Sequence, residues 1–373
     1  MVSRLYGLSL VVLACAAPVH SGEGVLGFVL SPLDPQSAGR GKAGELAMQW
    51  RSGLLRNPAT ILAEGDYEAR ESQVYVNRYA VGSLEIENPA DISLAYTYRH
   101  PANEIDKVWG DPMSFCLSYS LGDEVWKFGG GFSVAHWGTD GIPKVGEDGS
   151  YLGTISGVGE WVFNIGVAAR YRYERLGSIA AGVLWQGAKQ SFGDDNTYER
   201  ARFGKNFGFG FVYSHILASW LHASLGGVWQ GGGYDWTRGG SQEDSLDHRG
   251  IGAVIRLFPD SRSTFLSFHY HFILSADYQR ARQWGDWTQF VNAGLEIPLR
   301  KETYSIICRG GVSRVMGSNG YTEDSFGLGF EKATDLWNLR IGLDVAFVGY
   351  VSSSWWSEIP REKLVVGMRL WMI

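Results

Sequence analysis

Apolar and polar side chains alternate one for one along much of this chain. Residues 160–173 give the clearest run. Trp161, Phe163, Ile165, Val167, Ala169, Tyr171 and Tyr173 share one face, and Glu160, Asn164, Gly166, Arg170 and Arg172 share the other. A period of two is that of an extended strand, whose successive side chains point to opposite faces. Residues 336–351 repeat it, with Trp337, Leu339, Ile341, Leu343, Val345 and Phe347 opposite Asn338, Arg340 and Asp344. In residues 205–216, Phe207, Phe209, Phe211 and Tyr213 alternate with Asn206, Gly208 and Gly210.

Read this way, the chain holds fourteen strands: 91–99, 113–121, 125–137, 160–173, 177–190, 205–216, 219–230, 249–258, 263–275, 288–299, 302–312, 324–331, 336–351 and 363–372. The connections alternate in length. Residues 100–112, 138–159, 191–204, 231–248, 276–287, 313–323 and 352–362 are long, and those between them are short. Short turns at one end and longer loops at the other are the rhythm of an outer-membrane barrel. An even strand number puts both termini at the short-turn end. The last strand sets Leu364, Val366, Met368, Leu370 and Met372 on one face, a partial match to a terminal barrel-assembly signal. The expected fold is all-β: a 14-stranded antiparallel transmembrane β-barrel. Residues 73–81 also read as a strand. A fifteenth span would break the parity, so they are assigned to the N-terminal segment.

Composition agrees. The 50 glycines exceed a usual share of about 7% and show no period of three, which excludes a collagen-like chain. Hydrophobic residues at 45% exclude wholesale disorder. A formal net charge of -6 argues against a nucleic-acid partner. The one long apolar run is 8–19. With Arg4 before it and Ser21 after it, residues 1–21 read as a signal peptide. A lipoprotein signal with Cys15 as the modified residue is the other reading. Cys116 and Cys308 fall on opposite faces of the wall by alternation, so no disulfide is expected between them.

Residues 22–90 precede the first spanning strand and carry Gly, Ser, Pro and charge. A fourteen-strand barrel leaves a lumen. This segment can enter it as a plug, or hang below it as a tail. The stretch Ser37–Gly41 (Ser-Ala-Gly-Arg-Gly), then Ala43 and Gly44, then Asn57, Pro58 and Ala59 resembles the N-terminal hatch of the FadL/TodX family of outer-membrane transporters. PorV-like barrels have a similar start. The resemblance implies a hatch over 22–90 and a barrel wall over 91–373. It also implies passive transport of hydrophobic or amphipathic molecules, with no cofactor and no reaction. The PorV-like alternative implies a scaffold that meets export machinery. Independently of resemblance, Pro58 fixes its own backbone and Asn57 is suited to an Asx-type turn.

Several constellations are candidates for function. By alternation Lys127, Arg170, Arg172, Arg256, Arg309, Arg340 and Arg369 point inward, with the acids Glu160, Glu296 and Asp344. These arginines either receive an anionic head group by paired hydrogen bonds or bridge to the hatch, which brings Asp34 and Glu45. Arg56 is expected inside the barrel, paired with a wall carboxylate or facing a cavity. The acidic long loops carry Tyr234, Trp236, Tyr278, Trp284, Trp287, Trp355 and Trp356, as an apolar landing site or as an interfacial girdle. Gly129, Gly130 and Gly131 are read as interrupting the third strand. The resemblance makes that a lateral gate to lipid, and the plain alternative is packing of small residues. His269 and His271, two apart, read as facing the same way. Without a third ligand or a nucleophile motif, no metal site or catalysis is expected of them.

Overall fold

The computed structural model describes residues 35–48 and 56–63 near the N-terminus, two short hairpin pieces at 80–81 and 84–85, and, from residue 91 on, the strands and turns named below together with a hairpin of Ile142–Val145 and Tyr151–Ile155 and the short strand Thr264–Phe265. Fourteen strands form the wall: β1 Asp91–Arg99, β2 Met113–Gly122, β3 Trp126–Thr139, β4 Val158–Tyr173, β5 Gly177–Ser191, β6 Gly204–Ala218, β7 Leu221–Tyr234, β8 Asp244–Leu257, β9 Phe272–Gln283, β10 Asp286–Lys301, β11 Tyr304–Met316, β12 Thr322–Ala333, β13 Leu339–Val351 and β14 Lys363–Met372. Each pairs antiparallel with the strand before and after it. The first and last also pair, Asp91 with Trp371 through Arg99 with Lys363. The ladder therefore runs round to its own start and leaves none of the fourteen as a free edge, the arrangement that avoids unpaired N–H and C=O groups.

The wall is inverted relative to a soluble sheet. On β4, Trp161, Phe163, Ile165, Val167 and Tyr171 are exposed, while Asn164 and Arg170 between them are buried. The same holds on β6, where Phe207, Phe209 and Tyr213 face out and Asn206 and Ser214 face in. The ten steps from Trp161 to Tyr171 rise ~34 Å along the strand. At a tilt of about 45° that is ~24 Å of height, close to the apolar band a bilayer requires. No described helix is long and apolar enough to cross a membrane. Among the described residues, the strands supply the apolar surface of that height.

Two expectations need correction. Residues 276–287 are not a long loop: β9 runs to Gln283, β10 starts at Asp286, and Gln283 pairs with Asp286, so two residues separate the strands. Polar residues on both faces of 277–282 hid the strand. At the other end, the segment before β9 is broken rather than continuous. Phe268–Tyr270 pairs with β10 in the register of β9, but His271 separates the two. The short pieces Ala80–Val81 and Leu84–Glu85 pair only with each other, outside the wall. Residues 73–79 of the expected extra strand lie outside the described residues. Cys308 is a free, half-buried thiol, and the side chain of Cys116 lies outside the described residues.

Candidate functional site

Inside the ring lies the N-terminal segment. Helix α1, Pro35–Gly39, is one turn long. Gly41 N donates to Ala38 O at 3.1 Å and Lys42 N to Ser37 O at 2.8 Å. Those two bonds, with Gly41 at φ +62, make a Schellman ending, in which the left-handed position favours glycine. The Ser-Ala-Gly-Arg-Gly stretch is thus a helix stop, and Gly44 at φ +85 turns the chain again. Ala38, Ala43, Leu46 and Ala47 are buried.

From α1 the segment runs round the inner wall, against successive strands in reverse order. Gly39 lies on Gly327 of β12. The Arg40 backbone lies on Gly311 of β11 and Gly294 of β10. Leu46 lies over Gly252 of β8 and Gly226 of β7. Asn57 and Pro58 then lie on Gly210 of β6, and Ala59 on Gly182 of β5. A methyl group at Gly226 would land on the Leu46 carbonyl, and one at Gly210 on the Asn57 amide oxygen. The inward glycines are therefore a track that lets backbone meet backbone, a close approach that other residues would block.

Asn57 fixes the far end of the track. Its Oδ1 accepts from Ala59 N at 3.1 Å, capping the 3-10 turn Pro58–Ile61. Its Nδ2 lies within donating distance of three carbonyls: Leu46 at 2.7 Å, Phe211 at 3.1 Å and Gly227 at 3.3 Å. The expected Asx turn is present, and the same side chain ties the segment to β6 and β7. Ala59, Leu62 and Ala63 then close a small apolar cluster with Ala168, Ala180 and Val212 of the wall.

Arg40, Lys42, Arg56 and Arg309 form ion pairs inside. Arg40 Nη1 meets Glu296 at 3.0 Å, and Arg309 bridges Glu296 at 2.7 Å and Asp344 at 2.6 Å. Lys42 Nζ meets Glu323 at 2.6 Å. Arg56 lies inside as expected, but its carboxylate is Glu45 of the same segment, at 2.8 Å, rather than one from the wall. The wall offers it Gln279 instead, at 3.3 Å. Glu45 also accepts from the Ser37 hydroxyl, and its backbone N–H donates to Asp277 at 3.0 Å. Desolvated charges require such partners.

Of the arginines read as an anion receiver, Arg309 is held in its two ion pairs. Arg170 is buried and donates to the Leu62 carbonyl at 3.5 Å. Arg256 is buried and donates to Ser224 Oγ at 3.2 Å. Arg172 is only half-buried. Arg340 lies in β13 with its side chain outside the described residues, as do the side chains of Glu160 and Arg369 and the whole of Asp34. Lys127 is buried. The structure therefore does not gather these arginines at one point. It ties Arg170 and Arg309 to the N-terminal segment, Arg309 through the carboxylate it shares with Arg40, which is the bridging alternative. Alternation did not single out Glu323, Asp277 and Glu331, all buried. Glu323 and Glu331 share a register eight residues apart on β12, which was the available signal. Asp277 was hidden by the misread loop.

A polar belt, also missed, crosses the inner wall on the side of the long connections. Asn164 donates to Ser133 at 3.1 Å, Gln186 to Asn164 at 2.8 Å and Asn206 to Gln186 at 2.9 Å. Gln230 donates to the Arg56 carbonyl at 2.7 Å. His248 and Gln279 share a bond of 3.0 Å, and Ser313 donates to Asn292 at 2.8 Å. Asn206 Oδ1, His248 Nδ1 and Gln279 Nε2 are buried without a hydrogen-bond partner among the described residues. Two residues nearer the long connections, the inward positions turn apolar: Val162, Ala281, Phe290 and Val315, all buried.

Three further expectations change. Gly129, Gly130 and Gly131 do not interrupt β3. They pair with Ser120, Tyr119 and Ser118 on one side and with Ala168, Val167 and Gly166 on the other, with no slip in register. His269 and His271 do not share a face. His269 is exposed, while His271 is buried and stacks on Phe258 at 5.0 Å. No group of three metal-ligating side chains occurs among the described residues. Tyr278 and Trp287 sit on the outer wall of β9 and β10, as a girdle would place them. The side chain of Tyr234 and the whole of Trp236, Trp284, Trp355 and Trp356 lie outside the described residues.

No protein-family profile matches the chain, and no curated protein matches it. Solved structures do. The CymD monoaromatic hydrocarbon channel superposes with a TM-score of 0.52 at 12% identity, over 91% of this chain and 97% of that one. The Pseudomonas putida toluene transporter TodX gives 0.51 at 12%, over 90% and 96%. The Ralstonia pickettii toluene transporter TbuX gives 0.51 at 12%, over 92% and 99%. The fold is that of the FadL/TodX-type outer-membrane transporters.

Proposed function

We propose that this protein is a passive outer-membrane transporter of hydrophobic or amphipathic small molecules, with monoaromatic compounds the first class to test. One observation carries the reading. On the loop side of the polar belt the inward positions Val162, Ala281, Phe290 and Val315 are apolar and buried, and apolar inward positions such as Leu184, Val228, Val254 and Ile273 continue below it. An apolar molecule entering among the loops meets the loop-side set first. Below it, Asn206 Oδ1, His248 Nδ1 and Gln279 Nε2 offer one donor and acceptor sites to a polar end. Nothing in this requires a cofactor or a reaction, and the solved neighbours are channels and transporters.

On this reading residues 1–21 are a signal peptide, 22–90 a hatch and 91–373 the wall, with both termini in the periplasm. The unbroken ladder through Gly129–Gly131 favours an exit past the hatch over a lateral one. Substrate must then loosen the contacts of 35–48 and 56–63. Arg170 and Arg309 serve to hold that segment rather than to bind an anion in the resting state.

The test is uptake of radiolabelled toluene by cells that lack their own transporter of this kind. Expression of the full chain should raise the initial rate several-fold over an empty vector. A correctly folded protein that leaves the rate unchanged would reject the transporter and leave the PorV-like scaffold with its export partner.

A further inference from the structure

The outer wall carries one cluster that an all-lipid environment does not explain. Arg249 on β8, Arg280 and Arg282 on β9, and Trp287 on β10 all project from the lipid side. The ladder aligns Arg249 with Arg280, and Arg282 with Trp287. The guanidinium carbons of Arg280, Arg282 and Arg249 lie 4.6, 5.4 and 5.9 Å from the Trp287 ring centre, within cation–π range. Asp247 neutralises one of the three by a two-pronged contact with Arg249, at 2.9 and 2.7 Å. Among the described residues Arg280 and Arg282 remain in excess, and Arg282 Nε has no hydrogen-bond partner.

The height of the cluster is set by what lies below it. The next outward row is Ile251, Tyr278 and Val291, and the second row beyond is Ile255, Leu274 and Leu295, all exposed. Arginine on the lipid face is tolerated only toward the interface, so the cluster marks the boundary of the apolar band at the long-connection end. A net cationic patch at that level, with a tryptophan to lie along sugar or chain, matches a phosphorylated headgroup.

We infer that Arg280 and Arg282, braced on Trp287 and flanked by Arg249, bind the phosphate of a phosphorylated glycolipid in the outer leaflet. The site is on the outside of the wall and separate from the lumen. It rests on the outer-membrane orientation proposed above, but not on transport.

The test titrates the full chain, in phosphatidylcholine nanodiscs, with bisphosphorylated lipid A, and counts bound lipid by native mass spectrometry. The wild type should hold one lipid A. The Arg280→Gln/Arg282→Gln double variant should need at least tenfold more, and lipid A stripped of its phosphates should bind both proteins equally weakly. Arg282→Gln alone serves should the double variant fail a heat-modifiability check of folding. Equal lipid A binding by wild type and variant would overturn the site. So would indifference to the phosphates, or displacement of the lipid by inorganic phosphate at matched concentration. Toluene uptake measured in parallel separates the two readings: the lipid result stands whether or not the wild type transports, and the variant should transport as the wild type does.

Discussion

The side-chain amide of Asn57 donates to the backbone carbonyl of Leu46 at 2.7 Å, and so joins two parts of the N-terminal segment eleven residues apart. Because Leu46 lies over Gly226 and Asn57 over Gly210, this one bond holds both stretches against adjacent strands of the wall.

Asn57→Ala should release that hold. It leaves the buried Leu46 carbonyl without this donor and uncaps the Pro58 turn, a loss of about 1–3 kcal/mol per unsatisfied group. Thermal unfolding in detergent should shift down, and protease should cut within 49–55 faster than in the wild type. An Asn57→Asp variant keeps the cap acceptor but loses both donors, so it should lie between the two. Wild-type protection in Asn57→Ala would mean that the segment is held elsewhere.

Gly226→Ala tests the track. Its methyl group would meet the Leu46 carbonyl, so the segment must shift, at a cost of roughly 1–3 kcal/mol. Gly310→Ala, whose methyl group has only Ser325 O at 3.9 Å, is the control and should melt like the wild type. The track is refuted if the two variants melt alike.

Glu296→Gln removes the carboxylate shared by Arg40 and Arg309. Loss of one partner of a buried pair costs about 3–5 kcal/mol, and here two cations lose it at once. Adding Arg40→Met should recover part of the loss, because Arg309 keeps Asp344. A double-mutant cycle in chemical denaturation measures this; strict additivity would show that Arg40 and Glu296 are not coupled.

Gly130→Val bears on the exit. The position faces outward in an unbroken ladder, and a Cβ there meets Gly166 O at 3.3 Å and Val167 Cγ1 at 3.5 Å. The variant should fold and take up toluene at the wild-type rate. Loss of uptake from a folded variant would restore the lateral gate.

Orientation is read by labelling whole cells with an impermeant thiol reagent, on a background without native cysteines. Gly146→Cys and Ser241→Cys should react and Asp123→Cys should not. The opposite pattern would invert the barrel.

How much of this was legible in the sequence follows from periodicity. The wall was, because a strand with lipid on one side and lumen on the other alternates strictly, as 160–173 does. It failed at 276–287, where Asp277, Gln279, Arg280 and Arg282 put polar groups on both faces. The lower of these face the lumen and the upper two face the lipid boundary, so no apolar stripe remains to be seen. The helix stop at Ser37–Gly41 and the turn at Asn57 were visible as local chemistry. The partners of Arg40, Lys42 and Arg56 were not, since pairing across the lumen depends on how the segment is wound. The glycine track was visible only as an excess of glycine. Its meaning lies in which strand each one faces.

The ring of pairings also bears on how the chain assembles. The N-terminal segment touches the wall from β13 round to β4, while β1 pairs with β14. Those two strands lie at opposite ends of the wall sequence, so their zipper is the least local strand pairing of the wall and the slowest of those pairings to find. Once it forms, a segment laid along seven or more strands has no sideways route in. That leaves two routes: through an open end of the ring, or into place while the sheet is still an open scroll that then curls around the segment as around a mandrel. On the second route, residues 35–48 and 56–63 are a template for the curl of the wall, and a chain that lacks them should close its barrel more slowly or in another register.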